Sequence, residues 1–211
     1  MDIQEKPDHQ PLNLKSIPDK KHNSAMKQGW NTRETATRNS AYIINDRELS
    51  IMDKSFREAM SRLASGVCIV ATDGVAGRAG ATLTSVTSVT DSPGTVLLCL
   101  NRNSMSLPAI LGNGVLSINI LAQTHRPISD CFASPIRHEE KFRNGIWTFS
   151  TGRCPALEGS LATLQCSIAS SVESGSHTVM FCTVNEIDLH DAPTQPLIYF
   201  SRGYVNNQPQ T

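Results

Sequence analysis

From residue 67 onward the chain is a succession of short β-type runs separated by turn signals, and few folds accommodate that pattern. Runs rich in Val, Ile, Leu and Thr cover 67–72, 82–90, 95–100, 115–121, 161–172, 178–189 and 197–200. The run over 161–172 puts Ala162, Leu164, Cys166 and Ile168 on one face, the period of two that a half-buried strand shows. It meets the next run across the tight turn Glu173-Ser174-Gly175-Ser176-His177. Asp73-Gly74 and Ser92-Pro93-Gly94 reverse the chain elsewhere. Short helical segments are expected near 104–111, 124–133 and 136–143. Long β-helix-β alternation is absent, which argues against a doubly wound nucleotide-binding sheet. The residues alone therefore predict a mainly β, antiparallel barrel or sandwich.

Ahead of the first strand, Ser55-Phe56-Arg57-Glu58 has the Ser-x-x-Glu form of a capping box. Phe56, Ala59, Met60 and Leu63 repeat at helical spacing, and Gly66 supplies a stop. This predicts a folded domain beginning near Asp53 with a short amphipathic helix, its apolar face covering the end of the sheet. Residues 1–50 are rich in Lys, Asn, Gln, Asp and Pro, too polar to offset chain entropy by burial, and are expected to form a mobile arm. Within the arm, Ala41-Tyr42-Ile43-Ile44 is a candidate to dock on the domain or on a partner subunit. The expected division is arm 1–50, domain 51–205 and tail 206–211.

Charge and cysteine content narrow the setting. Lys+Arg and Asp+Glu both number 19, so the net charge is zero. Nucleic acid and anionic membrane both attract excess positive charge, so neither is an expected partner. No apolar run is long enough to cross a membrane, and the N-terminal stretch has no secretory character. The 6 cysteines form no Cys-x-x-Cys pair, and most sit in apolar runs such as Leu97-Leu98-Cys99-Leu100. They read as reduced, buried thiols of a cytoplasmic protein.

The chain lacks the motifs of the commonest chemistries. It has no phosphate-binding loop, no Gly-x-Ser-x-Gly elbow and no metal-ligand spacing of His with Cys. Gly74, Gly77 and Gly80 have the wrong spacing for a dinucleotide fingerprint and read as a flexible turn. His138-Glu139-Glu140 reads as a solvated helix face. Three features remain. The run containing Thr82, Thr84, Ser85, Thr87, Ser88 and Thr90 is dense in hydroxyls. The β-propensity of Thr explains it on composition alone; otherwise its hydroxyls hydrogen-bond a polar ligand. Asn101-Arg102-Asn103-Ser104 follows a strong strand and opens a helical turn, which suits either an ordinary Asn/Ser turn or a phosphate seat. Gly175-Ser176-His177 is either a solvent-facing turn or a ligand contact.

Several short motifs occur in a specific order. They are Phe56-Arg57-x-Ala59-Met60-x-x-Leu63, Gly80-x-Thr82-x-Thr84-Ser85-Val86-x-Ser88-Val89, Ser92-Pro93 and Cys99-Leu100-Asn101. Asn119-x-Leu121, Leu157-x-Gly159-Ser160-Leu161-Ala162, Gly175-x-His177 and Leu197-x-Tyr199-Phe200 follow. Over about 54–205 this set resembles the flavin reductase-like family, the small reductases of two-component flavin monooxygenases, of the 4-hydroxyphenylacetate 3-monooxygenase reductase type. The resemblance implies an FMN-binding split β-barrel of antiparallel, Greek-key type with a few short peripheral helices, paired as a homodimer with flavin at the interface. It implies NAD(P)H-dependent reduction of FMN or FAD by hydride transfer to N5, feeding a partner monooxygenase. The cofactors would carry the chemistry, so no acid–base pair is needed.

Carried onto this sequence, the resemblance assigns Thr82, Thr84, Ser85, Val86, Thr87 and Ser88 to the isoalloxazine and ribityl chain. Asn101, Arg102 and Ser104 would hold the phosphate end, and Asn119 would lie near the flavin. Gly175, Ser176 and His177 would contact the nicotinamide, with His177 orienting it. Phe200, Arg202 and Tyr204 would flank the dinucleotide. The arm has no counterpart in the pattern. Other readings stay open: reductases of pyrimidine breakdown or corrinoid reduction share the fold, as do proteins that only bind flavin or haem.

Overall fold

A computed structural model describes residues 46–190 and 195–205; the first 45 residues of the arm expected over 1–50, with its Ala41-Tyr42-Ile43-Ile44 run, and the tail over 206–211 lie outside them, whereas 46–50 belong to a helix. Helix α1 (Asp46–Ser61) leads into β1 (Ser65–Gly66), β2 (Cys68–Thr72), β3 (Ala79–Leu83), β4 (Val86–Asp91) and β5 (Gly94–Asn101). Then come α2 (Leu107–Asn113), β6 (Val115–Ile120), a 3-10 turn at Gln123–His125, α3 (Arg126–Ala133) and α4 (His138–Lys141). The rest is β7 (Trp147–Thr148), β8 (Ala156–Leu157), β9 (Ala162–Ser174), β10 (His177–Leu189), β11 (Ile198–Phe200) and β12 (Gly203–Val205).

The architecture follows from one short connection. A 7-stranded antiparallel sheet runs in the order β3-β2-β6-β9-β10-β5-β4. Its two edges, β3 and β4, are consecutive in the chain, separated by Thr84 and Ser85 alone. Three peptide steps reach at most about 11 Å. Six strand spacings in a flat sheet total roughly 29 Å. The sheet must therefore roll until its edges nearly meet, which makes it an antiparallel barrel split between β3 and β4.

The single strand expected over 82–90 is thus two strands on opposite edges. Thr and Ser favour extended backbone throughout, but propensity does not say where the chain changes edges. The helix also differs from expectation. α1 starts at Asp46, so Ser55 lies inside it rather than capping it, and it ends at Ser61, five positions before Gly66. Gly66 pairs with Ile198 instead, so strand pairing takes over where the helix stop was expected. The apolar residues expected on its inner face do not cover the sheet either: Phe56 and Met60 in α1 and Leu63 just beyond it are 65%, 48% and 61% exposed. The glycine turn after β2 is pinned rather than loose. Asn113 Nδ2 donates to the Gly77 carbonyl at 2.9 Å and to Thr72 Oγ1 at 3.0 Å, and Asn113 Oδ1 accepts from the Ala76 N–H at 2.8 Å. Gly80 lies in β3, where a Cβ would come within 2.7 Å of the Phe132 ring and 3.0 Å of the Val70 carbonyl.

Strand alternation gives β2 two buried faces. Cys68 and Val70 join Leu98, Leu116, Ile118 and Met180 inside the barrel. Val67, Ile69 and Ala71 face outward onto Phe132, Phe142 and Trp147, a second core that docks α3 and α4 on the barrel. The three aromatic rings of that core meet at centroid separations of 4.9–5.2 Å. Burying each such side chain contributes about 1.5–3 kcal/mol, so this outer cluster suffices to fix both helices. Asn119 ties the two layers together. Fully buried, it donates from Nδ2 to the Ile69 and Pro155 carbonyls and to Ser117 Oγ, and accepts at Oδ1 from the Leu157 N–H and Thr163 Oγ1.

His125, buried beneath α3, accepts the Ala122 N–H at Nδ1 (3.3 Å). Burial pushes its pKa below the usual 6.5, opposed in part by a hydrogen bond to the Glu158 carbonyl. The unfolded chain therefore binds a proton that the folded protein resists, and stability falls as pH drops from about 6.5 through the lower folded value. Thermal melts of wild type and His125→Gln between pH 7.5 and 5 should show a steeper loss in the wild type. Parallel curves would exclude His125 as the titrating group.

Candidate functional site

The split in the barrel opens a cavity of about 420 Å³. Thr82, Thr84 and Ser85 reach it from the β3–β4 link, Asn101 and Ser104 from the end of β5, and His177 from the start of β10. Phe132 and Ser134, at and just beyond the end of α3, form the opposite wall with Lys141. The topology explains the meeting, since His177 is the register partner of Asn101.

The polar groups here divide into those spent on the fold and those left over. Thr82 Oγ1 donates to the Ser129 carbonyl and Ser85 Oγ to the Cys99 carbonyl, both at 2.7 Å. These hydroxyls keep only acceptor capacity. Asn101 Oδ1 accepts the Asn103 N–H at 2.8 Å, which leaves its Nδ2 as a donor. Ser104 Oγ accepts the Ser106 N–H at 3.3 Å and keeps its own proton to give. His177 Nδ1 faces Ser176 Oγ at 2.9 Å, so Nε2 is the nitrogen left for a ligand.

Lys141 supplies the positive charge. It is 3% exposed, and its Nζ donates to the Phe132 carbonyl at 2.9 Å, using one of three N–H donors. Burial pushes its pKa down, because removing an ammonium from water disfavours the charged form. An anion in the cavity would restore what burial removes. Among the described residues no cluster of His, Cys, Asp and Glu has metal-site geometry.

The sequence profile of the flavin reductase like domain matches residues 60–208. An FMN reductase (NADH) RutF of Ancylobacter novellus is 43% identical over 155 residues, covering 74% of this chain and 85% of the relative. One of Enterobacter sp. (strain 638) is 40% identical over 157 residues, covering 74% and 95%. This chain belongs to the flavin reductase like domain family. Among solved structures, the styrene monooxygenase flavin reductase of Pseudomonas putida S12 superposes with a TM-score of 0.65 at 26% identity, covering 74% of this chain and 99% of that one.

A flavin needs a planar slot, hydrogen-bonding groups along one ring edge and a cation for its phosphate. The residues at the split fit that demand: a buried ammonium, six hydroxyl-bearing residues, two carboxamides and an imidazole line one cavity. Not every residue that the family resemblance pointed to is there. Val86 packs against the barrel core, and Thr87 and Ser88 are exposed on the edge strand β4. Arg102 lies outside the cavity, its guanidinium 3.0 Å from Glu173 and its N–H bonded to the Ser176 carbonyl. Asn119 is locked inside the fold as described, and does not line this cavity. Gly175, at φ 56, and Ser176 form the turn behind His177. Phe200 lines neither this cavity nor its neighbour, whereas Arg202 and Tyr204 line the neighbour.

Lys141 escaped the sequence reading because His138-Glu139-Glu140-Lys141 looks like a charged, solvated run. Only the packing of Phe142 on Phe132 and Trp147 turns this residue inward. Lys141→Met keeps the volume and removes a charge that is costly to bury, so the melting temperature should hold. Losing a charge-assisted hydrogen bond of about 1.5–3 kcal/mol should weaken FMN at least roughly tenfold in a fluorescence titration. An unchanged FMN Kd would remove Lys141 from the site.

Proposed function

We infer that this chain is an NADH-dependent flavin reductase whose flavin, FMN or FAD, is held at the split of the barrel. The observation that carries this reading is the single cavity shared by Thr84, Asn101, Ser104, Lys141 and His177 in a chain of this family. A flavin held there would supply the hydride acceptor for a reduced nicotinamide, chemistry that belongs to the cofactors. The protein supplies position and field. Lys141 pairs with the flavin phosphate, in the role first expected of Arg102. Ser104 and Asn101 donate beside it, and Thr82, Thr84 and Ser85 line the ring and ribityl edge. His177, held at Nδ1 by Ser176, orients the nicotinamide through Nε2.

The groove is open, which suits a flavin that exchanges. Reduced flavin that leaves the site calls for an oxygen-using consumer, and a flavin-dependent monooxygenase is the proposed partner. The likeness to the reductase of a styrene monooxygenase supports this. The relatives named FMN reductase (NADH) RutF favour catalysis over a bare flavin- or haem-binding role, and delivery into pyrimidine breakdown is the second reading. A homodimer is proposed because Phe56 and Met60 on α1, with Leu63 just beyond its end, are exposed apolar residues that a second subunit would cover. All 6 cysteines are free thiols, which suits a reducing, cytoplasmic setting. Among the described residues no helix is long and apolar enough to cross a membrane.

With trace enzyme and excess FMN, NADH oxidation should pass through many equivalents of flavin; one equivalent or none would identify a binder instead. On the same assay His177→Ala should lower kcat/KM for NADH roughly two- to tenfold, the worth of one neutral hydrogen bond, with the flavin Kd nearly unchanged. Unchanged NADH kinetics would take His177 out of the site. Light scattering should give a dimer mass, and a fully active monomer would contradict the interface proposed for α1.

A further inference from the structure

Helix α1 carries a charge imbalance that the chain as a whole does not. The cleft between α1 and the β11–β12 turn, of about 870 Å³, is lined by Lys54, Arg57, Arg62 and Arg202, with Glu58 as the one carboxylate. Over the whole chain the two signs are equal, 19 to 19. We propose that this cleft docks an acidic segment of another protein, which on the reductase reading is the consumer of the reduced flavin.

Glu58 arranges the cleft without neutralising it. Its Oε1 accepts from Arg62 at 3.4 Å and its Oε2 from Arg202 at 3.0 Å, so one carboxylate is shared by two guanidiniums. Lys54 and Arg57 have no ion pair among the described residues. The turn that presents Arg202 is held as well. Ser201 and Arg202 adopt φ 48 and 64, a left-handed conformation costly for residues with a Cβ. The Ser201 N–H donates to the Ser61 carbonyl of α1 at 2.7 Å, which keeps the turn in place. Cations fixed before a partner arrives need less ordering when it binds.

Exposure decides what kind of partner fits. The Arg62 and Arg202 side chains are 72% and 62% exposed. An exposed ion pair contributes little by itself, so the cleft is a poor seat for one small anion. Several carboxylates on one segment engage the four cations together, and their contributions add. Such contacts steer the encounter and release readily, which suits a transient delivery complex. A membrane fits less well: Phe56 and Met60, the groups that would enter it, sit about 160° around the helix from Glu58. No aromatic residue among those described lines the cleft, so the bases of a single strand have nothing to stack on.

The cleft also adjoins the site. Arg202 lines the cavity next to the flavin cavity, and Thr82, Leu83, Thr84 and Ala133 line both of those, so a groove leads from the cleft to Lys141. Arg126 continues the positive strip along that groove. Its guanidinium lies 5.1 Å from the centre of the Tyr204 ring, with no carboxylate within ion-pair distance among the described residues. A segment docked on α1 therefore lies beside the groove that holds the flavin.

The test uses the full-length chain and a fluorescein-labelled oligoglutamate peptide as the acidic probe. Anisotropy should show binding at low salt that weakens as added salt screens it, and saturating FMN should leave it unchanged. The double variant Lys54→Glu/Arg57→Glu should weaken the peptide at least roughly tenfold, while FMN reduction by NADH and the melting temperature hold. Lys54→Arg/Arg57→Lys, which keeps the charges, should bind like wild type. Absent binding at low salt, equal affinity in the charge-reversed variant, loss of binding in the charge-keeping one, or displacement of the peptide by FMN would overturn the docking surface. So would tighter binding of oligothymidylate or of phosphatidylserine vesicles, which would assign the cleft to nucleic acid or membrane. A wild-type chain that binds the peptide but does not oxidise NADH with FMN present would overturn the reductase reading and leave the docking surface standing.

Discussion

The two-residue link at Thr84 and Ser85 is the constraint from which the rest of the molecule follows. It joins strands that lie at opposite edges of a 7-stranded sheet, and so short a tether is met only if the sheet curls. Curling creates the inner core around Leu98, Ile118 and Met180. It also leaves a seam, because β3 and β4 approach without pairing. The link is anchored on both sides of that seam, by Thr82 Oγ1 to the Ser129 carbonyl on α3 and by Ser85 Oγ to the Cys99 carbonyl on β5. The groove is therefore built into the closure of the barrel. Its walls are the ends of strands and helices, which hold side chains more firmly than free loops do.

Two buried polar residues mark the difference between holding the fold and serving a ligand. Asn119 spends its carboxamide on five partners from β2, β6, β8, β9 and Pro155 just before β8, and nothing of it is left for anything else. Lys141 is as well buried, but its ammonium has one protein partner and borders an open cavity. A buried charge with unused donors is unfavourable in isolation and becomes favourable beside an anion. The same accounting separates Arg102, neutralised by Glu173, from Arg126, which has no such partner among the described residues. Hydrogen-bond and ion-pair satisfaction, more than residue type, distinguishes the two classes here.

Much of the fold was legible in the sequence because its signals are local. Period-two alternation found β9, Gly175 and Ser176 marked the hairpin to β10, and Ser92-Pro93-Gly94 marked the turn from β4 to β5. The lining of the cavity was legible where it lies at strand ends, as for Thr84, Asn101, Ser104 and His177. Other residues of the family pattern do not line this cavity: Thr87 and Ser88 lie exposed on the edge strand β4, and Arg102 pairs with Glu173. The start of α1 and the exposure of Phe56, Met60 and Leu63 were also missed, since helical periodicity says that a face is apolar but not what covers it.

By itself the sequence determined the β-rich class, the places of most of the long strands along the chain, the zero net charge and, through ordered motifs, the family. These depend on neighbours within a few positions or on composition. Only the tertiary structure decided that residues 82–90 form two strands on opposite edges, that Lys141 turns inward and that Arg126 stands beside Tyr204. Each of those depends on contacts between segments far apart in the chain, where packing volume and unpaired charge, rather than local propensity, set the outcome.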